Sequence, residues 1–233
     1  MSTEELLNKG KTERMVVRPI IQTLIDVYAL KGPEGFGVLF EGFNLPRWLP
    51  FKGKFVGKMG FGQSEERMYN IQQFAKAAMK HGDRAAEFGV YTGYTTRMLL
   101  DMGFDVLAFD SFEGIKGSGE HDIMQDGEFS VDSMLEETFE RIKDAYVVVG
   151  TLPGTLEGRD DMFNFVHLDL DVYEPTLAVL RYVYPRMHTG GVIVLDDYGY
   201  HITPGIKKAV DEFVAESGAK FIYLTSGQGV ILV

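Results

Sequence analysis

The chain has 233 residues, 45% hydrophobic and 24% charged, an ordinary globular composition long enough for one substantial core. Its formal net charge of −11 excludes a surface built to grip nucleic-acid phosphates or anionic lipid, and no lysine/arginine cluster overrides it. The absence of cysteine excludes disulfides and thiolate metal sites, leaves oxygen and imidazole as metal ligands, and so favours hard cations such as Mg²⁺ or Mn²⁺.

No apolar stretch reaches the roughly 20 residues of a membrane span, and Met1 to Arg18 has no signal-peptide core. A cytoplasmic protein with no membrane partner is the expectation. Residues 32–62 are rich in glycine and aromatics, among them Phe36, Phe40, Phe43, Trp48, Phe51, Phe55 and Phe61. That is too apolar for a solvated linker. It reads either as a segment packed on the domain or as a lid over a ligand cleft, and it also offers an interface for a homo-oligomer. It sets off an N-terminal extension, 1–62, from a single globular unit, 63–233.

Ser64–His81 has the pattern of an amphipathic helix with Met68, Ile71, Ala75, Ala78 and Met79 inward. Ser64 is placed to cap it, Glu65 and Glu66 suit its positive end, and Gly82 suits its stop. From there short apolar runs alternate with helical patterns. Strands are expected at Arg84–Val90, Asp105–Asp110, Tyr146–Gly150, Phe163–Asp169, Gly191–Asp196, Lys220–Leu224 and Gly229–Val233. Helices are expected at Gly93–Met102, Asp132–Lys143 (with Leu135, Phe139 and Ile142 on one face), Pro175–Tyr184 and Gly205–Ser217. Alternating strands and helices mean βαβ units and a mostly parallel sheet covered on both faces. The last two strands are separated only by the turn Thr225-Ser226-Gly227-Gln228, so they should pair antiparallel.

Two aspartate pairs, Asp169/Asp171 and Asp196/Asp197, follow the fourth and fifth strands. In an open α/β sheet the ligand cleft lies at the carboxyl ends of the strands, where both pairs fall. Four carboxylates on one rim repel one another, and a divalent cation is the simplest compensation. Asp169 and Asp171 share a face as residues i and i+2, whereas Asp196 and Asp197 diverge unless the chain turns at Tyr198-Gly199. His201 follows that turn and is a candidate for contacting an acceptor, together with Tyr198. His167, inside the fourth strand, reads as a buried, satisfied group.

Glu87-Phe88-Gly89-Val90-Tyr91-Thr92-Gly93 sits where the first strand turns into its helix. Its glycines admit a ligand close to the backbone, and the helix N-terminus favours negative charge. The spacing is neither the G-x-G-x-x-G of dinucleotide enzymes nor a P-loop. About 20 residues on, at the end of the second strand, Asp110 is placed to hold both hydroxyls of a ribose. Glycine turn and acidic residue together point to a nucleoside ligand.

Four blocks then align with one family: Glu87-Phe88-Gly89-Val90-Tyr91 with Gly93; Asp110-Ser111-Phe112-Glu113-Gly114; Asp169-Leu170-Asp171-Val172-Tyr173 with Pro175-Thr176; and Gly190-Gly191-Val192-Ile193 with Asp196-Asp197-Tyr198-Gly199. With the closing helix Gly205-Ile206-Lys207-Lys208-Ala209-Val210-Asp211-Glu212-Phe213, they resemble the macrocin O-methyltransferase (TylF-like) family over about Gly62 to Phe213. The chain departs from the family at Tyr91-Thr92, where Trp and Arg are frequent, and is short before that turn. The resemblance implies the α/β, Rossmann-like class I methyltransferase fold. It also implies S-adenosylmethionine as cofactor, a divalent cation, usually Mg²⁺ (or Mn²⁺), and a small-molecule acceptor, a hydroxyl on a sugar or glycosylated natural product. By the same resemblance Asp169, Asp196 and Asp197 bind the metal and Asp171 is the general base. Glu87, Gly89 and Tyr91 line the methionine end of the cofactor, and Asp110 holds the ribose with Ser111 and Phe112 beside it. The nearest alternative is metal-dependent methylation of a catechol or other vicinal diol. More distant rivals are a metal-dependent nucleotide hydrolase or glycosyltransferase, and a nucleoside-sensing module without catalysis.

Overall fold

The structure, a computed structural model, describes residues 65–233. The Ser64 cap, the N-terminal extension and the expected lid over 32–62 lie outside the described residues. Among those described, no helix is long and apolar enough to cross a membrane.

The chain runs α1 (Glu65–Ala78), β1 (Arg84–Phe88), α2 (Tyr94–Asp101), β2 (Asp105–Asp110), α3 (Leu135–Arg141), β3 (Tyr146–Val149), β4 (Phe163–Leu168), α4 (Tyr173–Val183), β5 (Met187–Leu195), α5 (Pro204–Ser217), β6 (Lys220–Tyr223) and β7 (Gly229–Leu232). One seven-stranded sheet results, in the order β3-β2-β1-β4-β5-β7-β6. The β1 to β5 pairings are parallel, and β7 runs antiparallel to both β5 and β6.

Alternation along the central strands sorts residues onto two cores. Ala86 and Phe88 of β1, Val166 and Leu168 of β4, and Ile193 and Leu195 of β5 face α4 and α5, meeting Leu177, Leu180, Ile206, Val210 and Phe213. Ala85, Phe165, Val192 and Val194 face the other way, onto Met68, Ile71 and Ala75 of α1 and Met98 and Leu99 of α2. All six residues of β4 are buried. A strand covered on both faces is expected to read as an unbroken apolar run, and Asn164 and His167 depart from that pattern because each has a specific partner. The Asn164 side chain donates to His81 O at 2.9 Å.

The element boundaries differ from the sequence pattern in three instructive places. α4 begins at Tyr173, so Pro175 sits third in the helix, still among the N–H groups that lack an intrahelical partner. Its first turn is capped from a distance: the Tyr173 N–H donates to Asp122 Oδ1 at 2.9 Å. β5 starts at Met187 rather than Gly191, with a register irregularity against β4 between Phe163 and Phe165. The segment read as Asp132–Lys143 splits into a 3₁₀ turn at Asp132–Met134 and the helix α3. Leu135 is 37% exposed, and Thr138 and Ile142 take the buried face. Met79, expected inward on α1, lies just past that helix in a 3₁₀ turn and is half-buried against the core of Met68, Ile71 and Ala75.

Register positions the rim. Phe88, Leu168 and Leu195 are neighbours across β1, β4 and β5. Gly89, Asp169 and Asp196 therefore come next, side by side. Their backbones stay tied: Asp169 N–H donates to Phe88 O, and Asp196 N–H to Leu168 O, both at 2.9 Å.

Candidate functional site

At the carboxyl ends of β1, β2, β4 and β5 lies a cavity of about 410 Å³, within the range typical of small-molecule sites. Gly89, Tyr91, Asp110 and Ser111 line it, together with Asp169, Asp171 and Asp197. Gly89 is required by close approach. With φ at +89° a Cβ there would sit 1.8 Å from the Asp169 carbonyl oxygen, so the turn can pass beneath the β4 rim only without a side chain.

The turn is locked by Asp110. Its Oδ2 accepts the Val90 and Tyr91 N–H groups at 2.6 and 2.8 Å, and its Oδ1 accepts the Phe112 N–H at 2.7 Å. A carboxylate offers about four acceptor positions, so one is left for a ligand hydroxyl rather than the pair expected from the sequence. Ser111 lines the cavity while its hydroxyl closes a local turn with Glu113 N–H and Gly114 O. Tyr91 lines it too, at φ 48°, its ring edge-on to Phe129 at 5.9 Å. Phe112 points away from the cavity wall, buried at 5% exposure against Phe139 at 4.9 Å.

Glu87 also departs from its expected place. It is 2% exposed and lies beneath the rim, not on the cavity wall. There it accepts a hydrogen bond from the Thr96 hydroxyl and meets His167 Nδ1 at 3.0 Å. The other nitrogen of His167 lies 3.6 Å from Asp196 Oδ1. Burial alone would pull this imidazole down, but the Asp196 and Glu87 carboxylates on its two sides push it up to about 10. Its ring thus bridges a carboxylate of β1 and one just past the end of β5.

Asp169, Asp171 and Asp197 each bring an oxygen within 4.8 Å of the others. Asp171 and Asp197 reach this geometry through left-handed backbone, φ 62° and 64°, strained positions of the kind that cluster at functional sites. Burial, then the charges of Asp196 and Asp197, push the Asp169 carboxyl well above the usual carboxylate range. Asp171 is raised likewise, by burial and then by Asp169 and Asp197.

Asp196 turns the other way. Its Oδ1 accepts from Gln228 Nε2 at 2.7 Å, and its Oδ2 lies 3.3 Å from Arg67 Nη2. The same guanidinium nitrogen donates to Asp197 Oδ1. Of the three expected metal ligands the structure thus groups Asp169 and Asp197, and puts Asp171, expected as the base, in the third position of the cluster. The cause is steric: successive side chains leaving β5 diverge, and only Asp197, after the strand ends, turns toward the cavity.

Tyr198 is directed away from the cavity. Its hydroxyl donates to Asp211 Oδ1 at 2.7 Å and its ring packs on Phe221 and Tyr223. His201 is exposed, its ring 5.1 Å from that of Tyr200. Tyr200 and Ile202 take the wall instead, with Ile115, Met124 and Phe129 from the β2–α3 connection. Sequence reasoning missed this apolar wall, since nothing in its spacing marks it. It also missed Arg67, 130 residues from its partner Asp197 and hidden on the face of an amphipathic helix.

The donor set fits a hard divalent cation. Five carboxylates (Glu87, Asp169, Asp171, Asp196, Asp197) surround two cationic groups, Arg67 and His167, and the three that face the cavity offer only oxygen. The cavity and glycine turn fit a nucleoside-bearing cofactor.

Solved structures of similar fold include CalS11, a calicheamicin methyltransferase, with a TM-score of 0.60 and 18% identity over 72% of this chain and 80% of that one. The O-methyltransferase NovP gives a TM-score of 0.59 and 23% identity over the same shares. At these identities the likeness establishes the class I methyltransferase fold. Among curated proteins, demethyldecarbamoylnovobiocin O-methyltransferase of Streptomyces niveus is 32% identical over 122 residues, 46% of this chain and 46% of that protein, so the match spans a little under half of its length. The family model for macrocin O-methyltransferase (TylF) matches residues 64–221, most of the chain and all of the rim just described, and the chain belongs to that family.

Proposed function

We propose that the protein is an S-adenosylmethionine-dependent O-methyltransferase acting on a hydroxyl of a sugar or glycosylated natural product, with Mg²⁺ (or Mn²⁺) in the aspartate cluster. One observation carries this reading: three carboxylates within 4.8 Å of one another line the same cavity as the Gly89 turn and Asp110. Family membership and the relatives above, named as methyltransferases of natural products, support the same reaction class. When bound, the cofactor supplies an electrophilic methyl group and the cation supplies Lewis acidity that makes an acceptor hydroxyl easier to ionise.

The chain's own residues do the rest. Asp169 and Asp197 would hold the cation, with Asp171 the third carboxylate of the cluster. Asp171, on the loop after β4 and beside that ion, takes the proton of the acceptor hydroxyl. Asp110 fixes the glycine turn and offers its remaining acceptor position to a cofactor hydroxyl. Tyr91 and Phe109 flank the cofactor side, while Tyr200, Ile202 and Met124 exclude water on the acceptor side.

Calorimetry with S-adenosylhomocysteine and Mg²⁺, singly and together, tests both halves of this reading. Each is expected to bind, and Asp171→Asn is expected to keep the nucleoside while losing on the order of 100-fold or more in turnover. Full activity after exhaustive chelation would sink the cation, and normal turnover by Asp171→Asn would sink the base.

A further inference from the structure

The cluster contains a cation of its own. Arg67, on the inward face of α1, is 4% exposed and nonetheless lines the cavity. Its Nη2 donates to Asp197 Oδ1 and lies 3.3 Å from Asp196 Oδ2. Its placement is fixed from both sides. Its carbonyl accepts from Gln228 Nε2 at 3.3 Å, and the same Nε2 donates to Asp196. One turn along the helix, Asn70 Nδ2 donates to Gln228 Oε1 and Ser226 Oγ, both at 3.1 Å. A buried guanidinium that touches two adjacent carboxylates is costly to desolvate, and one held so firmly is not a surface ion pair of little consequence.

We propose that Arg67 is a resident counter-cation of the metal site, a positioning residue that fixes Asp197 at the cluster and pairs with Asp196 beside it, so that a divalent cation binds beside Arg67 and against its charge. This inference rests on the cation reading above. It has two consequences. With no ion bound, Arg67 keeps the carboxylates from forcing the β4 and β5 rims apart. With the ion bound, Arg67 weakens its hold, because like charges share Asp197. Occupancy of the site is thereby coupled to the seating of α1.

The test uses the full chain and Mn²⁺, with binding read by calorimetry and by the loss of the free-ion magnetic resonance signal. Arg67→Gln is expected to bind Mn²⁺ at least about tenfold more tightly than wild type, the lower limit being the effect of removing one positive charge about 5 Å from a divalent ion at the dielectric of water. The variant is also expected to melt lower in chelator and to recover most of that loss when Mn²⁺ is added. Arg67→Lys, which keeps the charge and loses the fork, is expected to stay within about twofold of wild type in Mn²⁺ affinity. Equal or weaker Mn²⁺ binding by a folded Arg67→Gln, with wild type binding normally, overturns this inference alone. Absence of binding by both proteins overturns the cation reading and the inference together. If Arg67→Gln does not fold, the wild-type protein labelled with ¹⁵N-arginine decides. The Arg67 side-chain resonance is expected to shift with Mg²⁺ at the same half-saturation as binding, and a resonance that stays still through saturation overturns the proposal.

Discussion

The sharpest consequence of the aspartate cluster is that removing one of its charges should stabilise the protein when no metal is bound. Asp171→Asn is the cleanest perturbation. The side chains are nearly isosteric, and asparagine is among the few residues that tolerate the left-handed backbone, here φ 62°. Two unit charges 4.8 Å apart, the upper limit for the cluster's oxygens, repel by about 0.9 kcal/mol in water and about 3.5 kcal/mol at an effective dielectric of about 20. The substitution deletes two such pairs, with Asp169 and with Asp197. Part of this repulsion is already relieved by proton uptake, as the raised Asp169 and Asp171 carboxyls indicate, so a net gain of about 1–2 kcal/mol is expected. For a chain of this size that raises the melting temperature by about 2–8 °C. The assay is a thermal melt at slightly alkaline pH in chelator, repeated in excess Mg²⁺. With the ion the ranking should reverse, because occupancy at about 100 times the dissociation constant adds about 2.7 kcal/mol to wild type and less to a variant with one carboxylate charge fewer beside the ion. A metal-free Asp171→Asn protein that melts below wild type would refute the reasoning, since it would mean that the Asp171 charge is already balanced within the fold.

Two further outcomes follow from the same geometry. A carboxyl raised by folding stabilises below its unfolded value and loses that contribution as pH rises through its folded value. In chelator, therefore, the stability advantage of Asp171→Asn over wild type should be near zero below about pH 4, the ordinary carboxylate value, and grow as pH rises above it, and added Mg²⁺ should flatten the trend, as pH-stepped melts of both proteins will show. At Gly89, alanine would place its Cβ 1.8 Å from a backbone oxygen that cannot move aside. Gly89→Ala should lose on the order of 3 kcal/mol in urea unfolding and most of its affinity for S-adenosylhomocysteine, and wild-type values in both would show that the β1 and β4 ends do not approach so closely.

How much of this could be read from the residues depended on the range of the interaction involved. The strands were legible because burial on both faces leaves short apolar runs such as Val192 to Leu195 between helical patterns, whatever lies elsewhere. The antiparallel end was legible because a short turn permits nothing else. The first turn of α4 was not, because its cap comes from Asp122, 51 residues upstream. Nor was the place of Glu87, whose position in the motif suits a cavity wall but whose side chain is taken by Thr96 and by His167 on the neighbouring strand. Asp110 shows the intermediate case. Its distance from the glycine turn was informative, yet most of its acceptor positions serve the turn itself.

The aspartate pairs put the same lesson in terms of charge. A count of acidic residues at strand ends predicts that a cation is needed, but not which carboxylates it will meet, because side chains leaving a strand in succession cannot both face one point. Asp169 and Asp171 are two apart and converge, whereas Asp196 and Asp197 are adjacent and divide, one into the buried contacts with Gln228 and His167, the other toward the cavity. That division leaves Asp196 needing internal neutralisation, and His167 and Arg67 provide it. The buried His167 ring and Arg67 guanidinium are thus the complement of the cluster: His167 lies against Asp196, while Arg67 is shared between Asp196 and Asp197. It is on Asp169 and Asp171 that burial, and then repulsion from neighbouring carboxylates, raises the carboxyls, the electrostatic imbalance on which the proposed cation would act.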